Sequence, residues 1–83
     1  MNKKFYLVTV LIECSAECIV DAHALYVDYE KAKGAMAVEI ESAAENFDGR
    51  KGETLVDVET CRDWRTEVGY GYTVGIEELS PIE

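Results

Sequence analysis

The side chains best suited to chemistry in this chain of 83 residues are three cysteines and one histidine. Cys14 and Cys18 have the C-x₃-C spacing that zinc sites allow, and Cys61 and His23 are further ligand types. No second tight pair of ligands accompanies them, so we predict no metal site. A cysteine nucleophile with His23 as its base would need an orienting acid and an oxyanion hole, and neither can be identified in the sequence. The odd number of cysteines favours thiols over a disulfide framework.

A second group of candidates consists of carboxylates in the C-terminal half of the chain. They are Asp57, Glu59, Asp63 and Glu67. Paired carboxylates can perform acid–base chemistry or bind Ca²⁺ or Mg²⁺, but neither an EF-hand spacing nor a second type of catalytic residue accompanies them. We therefore predict no enzymatic activity and no cofactor. Two interpretations remain: a solvated surface, or a row of charges that imitates the phosphates of a nucleic-acid strand.

The third group is aromatic and comprises Trp64, Tyr70 and Tyr72. The alternating glycines and tyrosines of residues 69–72 are not a phosphate loop, because the GxGxxG spacing and a Walker lysine are absent. Glycines would leave one face of this segment without side chains, which allows close approach by the helix or a ligand. The tyrosines would then occupy the other face, either as anchors for a protein partner or as core beneath a helix.

The charge of the chain restricts the partners that it can have. Seventeen acidic residues against eight basic ones give a formal net charge of −9. This field repels nucleic acid and anionic membranes and attracts basic partners. The apolar run of residues 5–12 alternates like a strand and has no convincing cleavage site, and no run approaches the ~20 residues that span a bilayer. We therefore expect a cytoplasmic, unprocessed protein that binds neither nucleic acid nor a membrane directly.

One helix organises the predicted fold, over residues 27–47. Its apolar positions recur every three or four residues and form one stripe: Ala32, Met36, Ile40, Ala43 and Phe47. Asp28 is placed to cap the first turn. Gly34 weakens the helix interior, and its missing side chain would let a strand or an aromatic ring approach.

Four strands are predicted around this helix, over residues 4–14, 17–26, 54–60 and 68–79. Residues 61–67 either extend the third strand or form a turn, and Pro81 ends the last strand. The order β-β-α-β-β indicates a single α+β domain over residues 1–83, with a four-stranded, mainly antiparallel sheet and the helix packed on one face. One helix cannot cover both faces, so the other is exposed or buried against a partner or a second copy.

In overall profile the chain resembles the small, acidic, single-domain proteins of phages and mobile elements, including anti-CRISPR inhibitors. The resemblance covers the full length and rests on the short chain, one helix against a small sheet, strong acidity and the lack of a catalytic set. No residue role is carried over from it. It implies an inhibitor that occupies the basic nucleic-acid channel, or another working surface, of a host defence complex.

We therefore predict a non-catalytic module that binds a protein with a basic surface, for which a nucleic-acid-handling complex is one candidate. The predicted contacts are Asp57, Glu59, Asp63, Trp64, Glu67, Tyr70 and Tyr72. The alternative is a self-associating structural or accessory protein that forms a homodimer through its open sheet face.

Overall fold

The computed structural model describes residues 4–80. These residues form five strands and one helix: β1 (Phe5–Ser15), β2 (Cys18–Tyr26), α1 (Tyr29–Glu45), β3 (Gly52–Val58), β4 (Cys61–Thr66) and β5 (Gly71–Leu79). All neighbouring strands are antiparallel, in the order β2-β1-β5-β4-β3. The predicted α+β class, with one helix and an antiparallel sheet, is confirmed. The predicted strand number is wrong, because the sheet has five strands and the order is β-β-α-β-β-β.

The additional strand is β4, which lies in the segment predicted as an extension or a turn. Glu59 and Thr60 make the turn that separates β4 from β3. Each side of β4 pairs with a neighbour, since Trp64 is opposite Thr54 of β3 and Tyr72 of β5. A strand with neighbours on both sides satisfies its backbone hydrogen bonds, which offsets the low strand propensity of its charged residues.

Helix α1 begins and ends with capping interactions. The Asp28 carboxylate accepts hydrogen bonds from the Glu30 and Lys31 amides at 2.9 and 3.4 Å, which confirms the predicted N-cap. At the other end the side chain of Asn46 donates to the Ala43 carbonyl at 3.2 Å. Gly34 is exposed, and a methyl group there would contact nothing within 4 Å. The predicted close approach to Gly34 is therefore wrong.

The core lies between α1 and one face of the interior strands β1 and β5. Its buried members come from these three elements and the turn after α1: Val10, Ile12, Met36, Ala43, Phe47, Tyr72 and Val74. The predicted helix stripe is confirmed, with Ala32 also buried and Ile40 packed against the cluster. The other face of the sheet has no element packed on it within the part of the chain that the structure describes.

A disulfide joins Cys14 to Cys18 across the β1–β2 turn, and Cys61 is a free cysteine. The expectation of thiols is therefore wrong for this pair. The turn brings the two Cα atoms to 5.3 Å, within the range of about 4.4–6.8 Å that a disulfide requires. Pro81, predicted to end the last strand, lies outside the described residues. Within residues 4–80, no helix has the length and apolar character needed to cross a membrane.

Candidate functional site

The side of the sheet that faces away from α1, here called the open face, has no helix or strand of residues 4–80 packed on it. It carries Phe5, Leu7, Thr9, Leu11 and Glu13 of β1, because the alternate residues of that strand point into the core. Residues opposite these across the sheet lie on the same face. The large apolar side chains of the open face on β2, β1 and β5 are Phe5, Leu7, Leu11, Ile19, Leu25 and Leu79.

Two members of this apolar group are exposed and the others are half-buried. Ile19 is 59% exposed and Leu25 57% exposed, while Phe5, Leu7 and Leu11 are half-buried by their neighbours in the sheet. Single apolar side chains are common on protein surfaces, but neighbouring ones on a sheet face are typical of an interaction surface. On the open face, Phe5, Leu7, Leu25 and Leu79 are neighbours at one end and Leu11 and Ile19 at the other, with Thr9 and His23 between the two sets.

A polar network lies beside the apolar group and connects three strands. The Arg65 guanidinium donates to Glu13 at 2.8 Å, to Asp63 at 3.0 Å and to the Thr73 hydroxyl at 2.9 Å. Hydrogen bonding to Glu13, and next to Asp63, raises the pKa of Arg65 above its usual high value, so the side chain is always charged. Gly71 lies between Arg65 and Glu13 in the sheet, so the Arg65 side chain extends across β5 to reach Glu13.

The open face has a strong excess of negative charge. Its carboxylates are Glu13, Asp21, Glu53, Asp63 and Glu77, placed there by the pairing of the strands. Arg65 is the only lysine or arginine on this face within the described strands. Five carboxylates against one guanidinium leave a net charge of −4 when His23 is neutral. A surface that is both apolar and acidic favours a partner with apolar and basic groups.

The four predicted carboxylate contacts do not form one row. Asp57 lies on the helix side and forms an ion pair with Arg62 at 3.0 Å. Glu59 lies in the β3–β4 turn, where Lys33 of α1 approaches it to 3.0 Å. Hydrogen bonding to Lys33, and to the Tyr29 hydroxyl, lowers the pKa of Glu59.

The remaining two predicted carboxylates differ in their surroundings. Asp63 lies on the open face in the network of Arg65. Glu67 is exposed in the turn between β4 and β5 and forms no ion pair with the described residues. Because three of the four carboxylates already have a cationic partner within the chain, they match a row of phosphates poorly.

Two of the three predicted aromatic contacts lie beneath the helix. Tyr72 is 5% exposed and stacks on Trp64 with ring centroids 5.7 Å apart, and Phe47 contacts both rings. Tyr70 precedes β5 and packs against the same cluster while remaining half-buried. The structure therefore places Tyr72 in the core and Tyr70 against it, and neither lies on the open face.

The glycines were predicted to allow close approach by the helix or a ligand. In the structure, the groups that lie close to them are protein backbone and a core ring. A methyl group on Gly71 would overlap the carbonyl oxygen of Trp64, so this glycine lets β4 approach β5. Gly52 of β3 lies against the ring of Trp64 in the same way. Gly69 is outside β5, in a turn with a φ of 92° that favours glycine.

Cysteine and histidine side chains do not converge. Cys14 and Cys18 are bonded to each other, whereas His23 and Cys61 lie in one row of the open face with β1 and β5 between them. No group of three or more histidine, cysteine, aspartate or glutamate residues suited to a metal ion occurs within residues 4–80.

Sequence reasoning missed the network of Arg65 and the apolar group beside it. The two apolar faces of β1 did indicate that one face would be free, but not which one. The contact between Arg65 and Glu13 joins positions 52 residues apart, so no local pattern could reveal it. Comparisons with known proteins found no matching family model, no matching curated protein and no matching solved structure.

Proposed function

We propose that this protein is a non-catalytic module that binds a protein partner with a basic surface through its open face. The observation that carries the proposal is the combination, on one uncovered sheet face, of six apolar side chains with a net charge of −4. The apolar side chains would supply binding free energy, at roughly 25 cal/mol for each Å² removed from water. The carboxylates would select a basic partner and accelerate the encounter.

The acidity of the whole chain and its resemblance to phage inhibitors favour one class of partner. A protein that handles nucleic acid has a basic groove, and an acidic module seated in that groove would block it sterically and electrostatically. The proposed function is therefore inhibition of a host protein in the cytoplasm, as in anti-CRISPR proteins, without catalysis and without direct contact to nucleic acid. The open face, rather than the predicted carboxylates Asp57 and Glu59, is the proposed contact surface.

The alternative function is self-association through the open face. Stacking two copies face to face would place a charge of −4 against a charge of −4, with few groups available for neutralisation. Like-charge contacts across an interface cost several kcal/mol. The charge of the open face therefore favours a basic partner over a second copy at this surface.

Affinity capture from bacterial lysate with nuclease added, using matched variants, tests the proposal. Leu7→Thr and Glu77→Lys change two residues that are directly opposite each other on the open face. On exposed positions of α1, Glu41→Lys makes the same charge change and Val38→Thr likewise replaces an apolar side chain by threonine. We expect each open-face variant to weaken capture of the partner by about tenfold, as roughly 1.4 kcal/mol would. Both helix variants should bind as the original chain does, and added salt should release the partner.

Two outcomes of this experiment would contradict the proposal. If the helix variants lose the partner and the open-face variants retain it, the contact surface is α1. If only further copies of the chain are recovered, self-association is the better description and the inhibitor proposal is wrong.

A further inference from the structure

Strand β2 is an uncovered edge of the sheet. Every residue from 18 to 25 is exposed, and only one of its two sides pairs with a strand of the described chain, β1. An edge strand presents unpaired backbone N–H and C=O groups to solvent, so proteins usually protect it with lysine, proline, several charges or a bulge. Strand β2 contains neither lysine nor proline, and Asp21 is its one acidic residue.

The other edge strand, β3, has such protection. It carries Glu53 and Asp57 within seven residues, and its pairing with β4 is interrupted by a bulge between Thr54 and Val56. Symmetric pairing of two β3 strands about Leu55 would place Glu53 opposite Asp57 of the second copy, which is repulsive. The β1–β2 pairing also shifts register, between Glu13 and Ser15, but there the extra residue belongs to β1 beside the hairpin turn and not to the edge strand. The two edge strands of the same sheet are therefore built differently.

We infer that β2 pairs antiparallel with β2 of a second copy, about a two-fold axis at Ala22, and joins two sheets into one of ten strands. The surface involved is the edge of the sheet, so the inference does not depend on what binds the open face. Both helices would lie on one side of the joined sheet. The two open faces would form a continuous surface on the other side.

The sequence of β2 is complementary to itself in this register. A two-fold axis normal to the sheet and passing through Ala22 places Asp21 opposite His23 of the second copy, and His23 opposite its Asp21. An imidazole donates a hydrogen bond to a carboxylate in either protonation state. The same axis places Ile19 opposite Leu25 of the second copy on the same face, where both are otherwise exposed. Opposite-charge and apolar cross-strand pairs each stabilise a sheet.

Neighbouring symmetric registers lack this complementarity. An axis through Asp21 would place the carboxylates of the two copies directly opposite each other, and one through His23 would do the same with the imidazoles. The axis through Asp21 would also place Ile19 opposite His23, and the axis through His23 would place Leu25 opposite Asp21 and Ile19 opposite Val27, which lies beyond the end of β2. The register about Ala22 is therefore specified by side chains as well as by the backbone.

A cysteine cross-link tests the register directly. Ala22→Cys on a Cys61→Ser background places two thiols opposite each other, with Cα atoms about 4.5–5.5 Å apart in an antiparallel pair. That separation is within disulfide reach. The matched control is Ala24→Cys, on the same strand and face. In the dimer the two substituted residues would be four residues out of register, with their Cα atoms about 13 Å apart along the strands. Mild oxidation should give a cross-linked dimer for Ala22→Cys and at least about tenfold less for Ala24→Cys.

Exchanging the two side chains tests the pairing of Asp21 with His23. The dimer affinity is measured by sedimentation from about 1 µM to about 500 µM, because small interfaces are weak. His23→Asp alone puts two carboxylates opposite each other and should weaken the dimer about tenfold or more. Adding Asp21→His to His23→Asp restores the pair in reverse and should return the affinity to within about threefold of the original. Circular dichroism establishes that each variant is folded.

The results that would overturn the inference are distinct. A folded chain that remains monomeric throughout the concentration range would refute it. So would equal cross-linking of Ala22→Cys and Ala24→Cys, which indicates random collision. A dimer that the charge exchange leaves disrupted would show that a different register or surface is used.

Discussion

Replacing Arg65 by methionine should destabilise the fold strongly, because three strands share this side chain. The Arg65 side chain is 20% exposed, and the side chains of Glu13 and Asp63 are 35% and 25% exposed. Breaking a fully buried ion pair costs about 3–5 kcal/mol, and breaking a surface pair costs about 0.2–1 kcal/mol. Arg65 lies between these limits but has two carboxylate partners, so we expect a loss of about 2–3 kcal/mol in the free energy of unfolding.

This loss is large for a chain of 83 residues, whose total stability is expected to be about 4–12 kcal/mol. It corresponds to a fall in Tm of about 10–20 °C, at about 4–8 °C for each kcal/mol. Urea unfolding followed by circular dichroism measures the free energy, and a thermal scan measures Tm. Methionine keeps most of the aliphatic stem, so the change tests the guanidinium and its hydrogen bonds more than packing.

The matched control is Arg62→Met, three residues earlier on the same strand. Arg62 has one carboxylate partner, Asp57, which is 62% exposed. Its removal should cost less than about 1 kcal/mol. Arg65→Lys should recover only part of the stability, because an ammonium group cannot reproduce the planar fork that reaches four acceptors, the three side chains and the Gly69 carbonyl. If Arg65→Met costs no more than Arg62→Met, the network does not hold the strands together and the reasoning is refuted.

Three further predictions concern the helix, the disulfide and a surface carboxylate. Gly34→Ala should stabilise the fold by about 1 kcal/mol in urea unfolding, because the added methyl group fits and the unfolded chain loses freedom. Replacing Cys14 and Cys18 by serine should cost at most about 2 kcal/mol, since the disulfide closes a loop of only five residues, and reductant should cost the original chain the same. Glu59 has a folded-state pKa lowered by Lys33, so its stabilising effect is present above the ordinary value of 4.5 and is lost as pH falls through the folded value. Glu59→Gln should therefore make unfolding less sensitive to acid, as urea titrations at several pH values would show.

Much of the fold could be predicted because the signals for it are local. The stripe from Ala32 to Phe47 and the cap at Asp28 define α1 within two residues at each end. Three of the predicted strands overlap β1, β2 and β5 closely, since alternation and β-branched residues act over a few positions. The disulfide was within reach of the same reasoning, because a turn at Ser15 and Ala16 already placed Cys14 and Cys18 on its two sides.

The features that could not be predicted depend on long-range pairing. Strand β4 carries Arg62, Asp63 and Arg65, and only its partners on both sides make it a strand. Alternation shows that Tyr72 shares a face with Val74 but not that this face meets the helix. The position of the open face, and with it the candidate site, depends on which face of the sheet meets the helix, and the sequence does not reveal this.

The central pairing of β1 with β5 has a consequence for the rate and order of folding. Phe5 is opposite Leu79, so the middle strand of the sheet, β5, and its neighbour β1 join distant parts of the chain. The β1–β2 hairpin can form early, because its two strands are adjacent in the chain. Strand β1 has apolar side chains on both faces, and neither the core nor the sheet is complete until β5 pairs with it. Distant pairings of this kind slow folding. A nascent or partly folded chain therefore exposes its most aggregation-prone strand until β5 has been synthesised and docked.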